Sequence, residues 1–90
     1  MKLAVLLFAL PGQEAALTAY EDTVLGILEG EYGGQVLQRL AITGEGPTEV
    51  QVIELPDEQA LERFLADPAR LALERERASC IARTEVYRSR

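Results

Sequence analysis

The alternation of apolar and polar positions divides this chain into six predicted elements in the order β-α-β-β-α-β. Apolar segments with a period of two are predicted to be strands, and they occupy residues 2–10, 35–43, 49–55 and 80–88. Segments with a helical period occupy residues 13–28 and the stretch after Asp57. Residues 1–90 are therefore predicted to form one α+β domain, a two-layer sandwich of helices on an antiparallel sheet.

Side-chain periodicity and capping residues define the helices. In the first helix the predicted core stripe consists of Leu17, Tyr20, Val24, Ile27 and Leu28. The acidic residues placed off that stripe are Glu14, Glu21, Asp22 and Glu29. Asp57 is predicted to cap the second helix, because its carboxylate can accept hydrogen bonds from free backbone N–H groups. Asp67-Pro68 is predicted to be a second cap, after which the helix resumes on a new axis.

The first strand is apolar on both faces. Leu3, Val5, Leu7 and Ala9 alternate with Ala4, Leu6, Phe8 and Leu10. Right-handed crossovers place strands one and three at the centre of the sheet, where helices can cover only one face. We therefore expect the other face to pack against a second copy in a homodimer, because so large an apolar patch is unusual in a monomer. The alternative is that the aliphatic stems of Arg39 and Arg83 cover it.

Composition excludes several classes of function. The net charge is -6, which argues against nucleic acid as a partner. No apolar run approaches the roughly 20 residues that a membrane span needs. The chain contains no His, so zinc and haem sites built on His and His-dependent nucleophiles are excluded, and no cofactor or metal is expected. The single Cys80, predicted to be a small buried residue at the start of the last strand, suits a reducing cytoplasm. The alternative for residues 1–10 is a secretory signal, for which no small-residue cleavage site follows.

Three sequence stretches resemble the dimeric α/β-barrel superfamily. Ala19-Tyr20-Glu21 through Glu31–Leu37 resembles its first helix and the Gly-Gly junction to the second strand. Residues 52–60, VIELPDEQA, and 67–71, DPARL, resemble its second half, and are most similar to a small-protein family of unknown function. This resemblance implies a ferredoxin-like fold that pairs as a dimeric α/β barrel, with a small organic ligand as a possible partner. It also implies an alternative activity, a cofactor-independent monooxygenase or isomerase acting on a small aromatic or lactone-like molecule.

The haem-degrading members of that superfamily resemble this chain least, because their usual His, Asn and Trp have no counterpart here. A second resemblance is fainter. Leu10-Pro11-Gly12 before a helix is similar to the ligand loop of ACT-type regulatory domains, which implies a ligand sensor or an assembly module.

Without His, any chemistry has to use other polar side chains. We expect candidate catalytic residues among polar groups on strands or on the helix stripe, namely Glu54, Arg39 and Tyr20. A carboxylate in an apolar cleft can act as a base, and Arg or Tyr can stabilise a developing oxyanion. Arg83 and Tyr87 on the last strand are candidate ligand-binding residues. The alternative for all five is structural: cross-strand pairs for the charged residues, and a core position for Tyr20.

Overall fold

The computed structural model describes residues 1–90 and confirms the predicted order of elements. The strands are β1 (Lys2–Ala9), β2 (Gln35–Ala41), β3 (Glu49–Glu54) and β4 (Ile81–Arg88). The helices are α1 (Glu14–Glu31), α2 (Glu58–Leu65), α3 (Pro68–Leu71) and α4 (Glu74–Cys80). None of these helices combines the length and the hydropathy that crossing a bilayer requires.

The four strands form one antiparallel sheet in the order β2-β3-β1-β4, so β1 and β3 are central as predicted. In its register, Leu3 lies opposite Ile53 and Val5 opposite Gln51. Leu3, Val5 and Leu7 are buried. The alternate residues, such as Leu6, lie on the opposite face and are only half-buried. We call this second surface, which no helix covers, the open face.

The helices bury the other face of the sheet. The core residues they share with it are Leu3, Val5, Leu7, Leu17, Tyr20, Val24, Leu25, Leu28, Ile53, Leu55, Leu61 and Phe64. Three polar residues are buried with them, Glu21, Glu49 and Gln51. The predicted stripe of α1 is confirmed, with Ile27 packed against the core but only half-buried. The prediction omits two buried residues of this helix, Leu25 and Glu21, and it placed Glu21 off the stripe.

The junction from α1 to β2 depends on two glycines. The helix continues to Glu31, past the predicted end at residue 28. Gly33 then adopts a left-handed backbone with φ +66°, which L-residues adopt rarely. At Gly34 a Cβ atom would lie 2.5 Å from Cγ of Leu28, a fully buried core residue. The close approach of strand to helix therefore requires glycine at position 34.

Both predicted caps are confirmed. The Asp57 carboxylate accepts a hydrogen bond from the backbone N–H of Ala60 at 2.8 Å. The Asp67 carboxylate accepts from the N–H groups of Ala69 and Arg70 at 2.8 and 3.1 Å, with Pro68 at the first helical position. The resumed helix is itself divided into α3 and α4, which the sequence pattern did not predict.

Two register shifts alter the strand faces. Between Val36 and Gln38 the pairing of β2 with β3 shifts, so Arg39 lies on the same face as Val36. Between Phe8 and Ala9 the pairing of β1 shifts from Arg83 to Ile81. Cys80 is the last residue of α4 and not the first residue of β4. The buried residue at the start of β4 is Ile81. Each shift leaves one extra residue unpaired in a strand. The residues beyond it therefore lie on the face opposite to the one that the alternation predicts.

We expect Asp57→Ala to lower the free energy of unfolding by about 1 kcal/mol, because the backbone N–H of Ala60, in the first turn of α2, loses its acceptor. Urea denaturation of both proteins measures this loss. Gln59→Ala, an exposed change on the same helix, is the control and is expected to be neutral. Equal stability of the two variants would contradict the role of the cap.

Candidate functional site

A cavity of about 110 Å³ lies between the helices and the covered face of the sheet. Its walls are mainly apolar and come from β1, β3, β4, α1 and α2, with Val5, Leu25, Ile53 and Phe64 among them. The exposed lining residues are Leu65 at the end of α2 and Val86 on β4, so the mouth lies at the β4 edge of the sheet. An apolar cavity of about 150 Å³ can hold benzene. This cavity is smaller, so it can accept a small organic molecule only in part, with the rest of that molecule at the open mouth.

One wall of the cavity is polar. Glu21 on α1 is 6% exposed and Gln51 on β3 is 1% exposed, and both line the cavity. The amide nitrogen of Gln51 donates to Glu21 at 2.8 Å and to Glu49 at 2.6 Å. One side chain therefore links two buried carboxylates, each of which would be costly to bury alone.

Arg39 compensates the second carboxylate from the outside. Its Nε donates to Glu49 at 2.9 Å, and its terminal nitrogens donate to Asp22 at 2.5 Å and to the backbone oxygen of Thr18 at 3.1 Å. Burial lowers the pKa of Arg39, but the hydrogen bonds to Glu49 and Asp22 more than offset this, and the pKa lies above its ordinary value. The chain Arg39–Glu49–Gln51–Glu21 thus runs from the surface to the cavity wall, and we call it the polar network.

Glu21 is the carboxyl on the cavity wall. Burial raises the pKa of its carboxyl above the ordinary value, the hydrogen bond from Gln51 offsets part of that rise, and the charge of Glu49 adds to it. Burial also raises the pKa of the neighbouring Tyr20 phenol, an effect that the positive charge of Arg70 opposes. Tyr20 therefore stays a neutral hydroxyl at physiological pH, able to donate a hydrogen bond to a ligand oxygen.

Two arginines stand near the mouth. Arg70 on α3 and Arg77 on α4 both line the cavity. Arg77 has a 3.6 Å ion pair with Glu74. The Arg70 guanidinium lies 5.5 Å from the centroid of the Phe64 ring, and its Nη1 donates to the backbone oxygen of Leu65 at 3.1 Å. The cavity thus combines an apolar interior, a buried acid and a cationic entrance.

The structure separates the three residues that the sequence suggested as catalytic. Tyr20 lines the cavity, and Arg39 reaches it only through Glu49 and Gln51. Glu54 lies opposite Lys2 on the open face, beside a more open groove lined by Met1, Gln35 and Pro56. Glu54 and Tyr20 are therefore not parts of one site.

The two suggested ligand-binding residues lie together on the open face, on the other side of the sheet from the cavity. Arg83 and Tyr87 both hydrogen bond to Glu85 on β4, at 2.8 and 2.9 Å. The hydrogen bonds from Tyr87 and from Arg83 hold the pKa of Glu85 below its ordinary value. Arg83 also stacks over Phe8, its guanidinium carbon 3.9 Å from the ring centroid. One of the two arginines expected to cover the open face does so, whereas Arg39 faces α1 instead.

Sequence reasoning missed Glu21 and Gln51 as site residues. A signal for Glu21 was present, because it follows Leu17 by four residues and precedes Val24 by three, the spacing of one helix face. Gln51 alternates with buried Ile53 and so shares its face. Nothing in the local pattern distinguishes Arg70 and Arg77 from the exposed arginines around them.

Metal and thiol chemistry find no support in this arrangement. No group of three or more Cys, Asp and Glu side chains is placed to hold a metal ion. Cys80 is fully buried, as predicted, and burial raises the pKa of its thiol. Its Sγ donates weakly to the backbone oxygens of Glu76 and Arg77. A buried thiol of raised pKa is a poor nucleophile.

Comparison with solved structures identifies the fold. A protein of Pseudomonas aeruginosa superposes with a TM-score of 0.75 at 20% identity, covering 99% of this chain and 93% of that one. An uncharacterised NIPSNAP-domain protein of Burkholderia xenovorans gives a TM-score of 0.73 at 19% identity, covering 97% and 90%. A dabb-family protein of Mesorhizobium loti with a ferredoxin-like fold gives 0.69 at 14% identity, covering 96% and 90%.

No protein-family model and no curated protein sequence matches the chain. The structural neighbours confirm the expected ferredoxin-like α+β fold. The Burkholderia protein is uncharacterised, a further neighbour from Nitrosomonas europaea is a protein of unknown function, and the likeness supports no specific activity. What this chain does has to be argued from its own cavity and surfaces.

Proposed function

We propose that this protein is a homodimer in which each protomer encloses a small organic molecule in the cavity and transfers a proton on it through Glu21. The observation that carries the proposal is the buried Glu21 carboxyl on the wall of an otherwise apolar cavity. A polar group is costly to bury, and a carboxyl of raised pKa in a cleft is typical of functional sites.

The chemistry that suits this wall is proton abstraction next to a carbonyl. Glu21, in its ionised form, takes a proton from carbon, and the Tyr20 hydroxyl donates a hydrogen bond to the carbonyl oxygen on which negative charge develops. Return of the proton to a different carbon completes an isomerisation with no change of oxidation state. The same carbanion, reacting with O₂ as the oxidant, would begin a cofactor-independent monooxygenation. A lactone-like or small aromatic substrate fits both routes.

The position of the cavity favours this function over that of a ligand sensor. A sensor of the ACT type would hold its ligand beside Pro11-Gly12, and neither residue lines the cavity. Gly12 lies in an exposed turn with φ +77° and open space around it. The buried, unpaired Cys80 supports a reducing compartment such as the cytoplasm.

Binding is tested with phenol and γ-butyrolactone as small aromatic and lactone probes. Titrations followed by ¹H–¹⁵N NMR are expected to shift the backbone signals of residues on the cavity wall, such as Val5, Leu25 and Gln51, and to leave the open face unshifted. Glu54→Gln is expected to bind like the wild type, because Glu54 lies on the other side of the sheet. Shifts confined to the groove beside Glu54 would overturn the assignment.

Glu21→Gln is expected to be more stable than the wild type at pH 8, with a gain that diminishes toward pH 4. Burial raises the pKa of Glu21 in the folded state. Ionising this carboxyl therefore destabilises the folded state as pH rises from the ordinary pKa through the raised one. Below that window the carboxyl is protonated in both states and the difference vanishes. Thermal unfolding across this pH range measures the effect. Glu29→Gln, an exposed change on the same helix, is the control and should give no such trend.

A further inference from the structure

Arg70 has a buried hydrogen-bond donor that nothing in the protein accepts. Its Nε is the one buried side-chain nitrogen or oxygen without a partner. Its Nη1 is occupied by the backbone oxygen of Leu65, and Arg70 takes part in none of the ion pairs of the protein. Buried donors of native proteins nearly always find an acceptor, so an orphaned one requires an explanation.

The guanidinium of Arg70 belongs to a pair of positive charges on the cavity wall. Arg70 lines the cavity together with Arg77, and both charges lie close enough to act on the Tyr20 phenol. Glu74 neutralises Arg77 only in part, through a 3.6 Å contact. In a chain of net charge -6, this entrance therefore concentrates positive charge beside an apolar interior.

We propose that the ligand of this cavity is a small carboxylate anion with a compact tail, toward which the Arg70 side chain turns so that Nε, enclosed in the protein itself, gains an acceptor. This inference rests on the proposed function of the cavity and names its ligand class. A guanidinium presents donors in a planar fork that matches a carboxylate, and charge-assisted hydrogen bonds of this kind are stronger than neutral ones. Arg77 adds a second positive charge. The tail, which carries the carbonyl on which Glu21 acts in the proposed function, lies among Val5, Leu25 and Phe64.

The position of Glu21 agrees with this orientation of the ligand. The Glu21 carboxyl is tied to the sheet by Gln51 at 2.8 Å, on the wall that α1 and β3 form. Arg70 and Arg77 belong to α3 and α4, and Arg70 is bonded to the backbone oxygen of the exposed Leu65. A carboxylate placed at Arg70 therefore avoids the buried acid, while the tail extends toward it.

The test compares 3-methylbutanoate with 3-methylbutanamide, two molecules of the same shape that differ in charge. Dissociation constants for the full chain at pH 7 are measured by NMR titration. We expect the carboxylate to bind about tenfold or more tightly than the amide, the effect of a charge-assisted hydrogen bond. Arg70→Gln is expected to abolish this preference and Arg70→Lys to retain part of it. Arg75→Gln, an exposed arginine on α4, is the control and should keep the full preference.

The outcomes separate the two proposals. Equal affinity for acid and amide, with both in the cavity, would overturn the carboxylate assignment and leave the proposed function standing. A preference that survives Arg70→Gln would also overturn the assignment. If neither molecule shifts the cavity signals, and phenol and γ-butyrolactone do not either, both proposals fail. The wild-type comparison needs no variant, so it stands even if Arg70→Gln does not fold.

Discussion

Replacing Arg39 with methionine is expected to lower the free energy of unfolding by about 3–5 kcal/mol, the usual cost of removing one partner of a buried ion pair. Glu49 is 3% exposed, and Arg39 is the only cation bonded to it. Methionine keeps much of the arginine's volume and removes the charge and the donors. The variant therefore leaves Glu49 and Glu21 bridged by Gln51 with no compensating positive charge.

Three measurements identify the cause. Burial raises the pKa of Glu21, so acid pH protonates this carboxyl and the loss in Arg39→Met is expected to be smaller at pH 4 than at pH 7. The double variant Arg39→Met/Glu49→Gln should recover part of the stability, because it removes the charge left unpaired. Arg83→Met, whose ion pair with Glu85 is exposed, is the control and is expected to cost no more than about 1 kcal/mol.

A loss for Arg39→Met no greater than that of the Arg83 control would show that water enters the polar network. A large loss, recovered in the double variant, would assign Arg39 a structural role. The sequence suggested Arg39 as a catalytic residue, and the structure places it two hydrogen bonds from Gln51 on the cavity wall and three from Glu21. Stability, rather than turnover, is therefore the property on which its effect is expected to be largest.

The fold could be predicted because its determinants are local. The two-faced apolar pattern of β1 identifies a central strand, and Asp57 and Asp67 mark helix starts through hydrogen bonds within three residues. Each of these signals depends only on residues that are close in sequence, so it can be recognised without the tertiary structure. The errors occur where one residue changes the phase of the pattern, as at the register shifts of β2 and β4.

The site could be predicted only in part, because it depends on pairs distant in sequence. The helical periodicity predicts that Tyr20 lies on the buried face of α1, and the structure confirms this position. Glu21 adjoins it, but an acidic residue is normally placed on the solvent side, and only Gln51, thirty residues away, supplies the partner that allows its burial. The role of Arg70 follows from a missing partner, which no sequence pattern reveals.

Replacing Leu6 with glutamate is expected to weaken self-association at least 100-fold, equivalent to about 2.8 kcal/mol. Leu6 lies at the centre of the open face, opposite Val50, and Leu40 lies opposite Val50 on its other side. Ala4 and Val52 extend this apolar strip across the central strands. In a symmetric dimer that joins two open faces, one substitution places two charges in the interface.

Sedimentation equilibrium at micromolar concentration measures the effect. The wild type is expected to have twice the 9.9 kDa mass of the chain, and Leu6→Glu the mass of one chain. Leu71→Glu, the same change at a half-exposed position on α3, is the control and should remain dimeric. A wild-type mass of 9.9 kDa would mean that the stacking of Arg83 on Phe8 is sufficient cover for the open face. A dimer unaffected by Leu6→Glu would place the interface elsewhere, and the edge strand β4 beside the cavity mouth would then be the next surface to test.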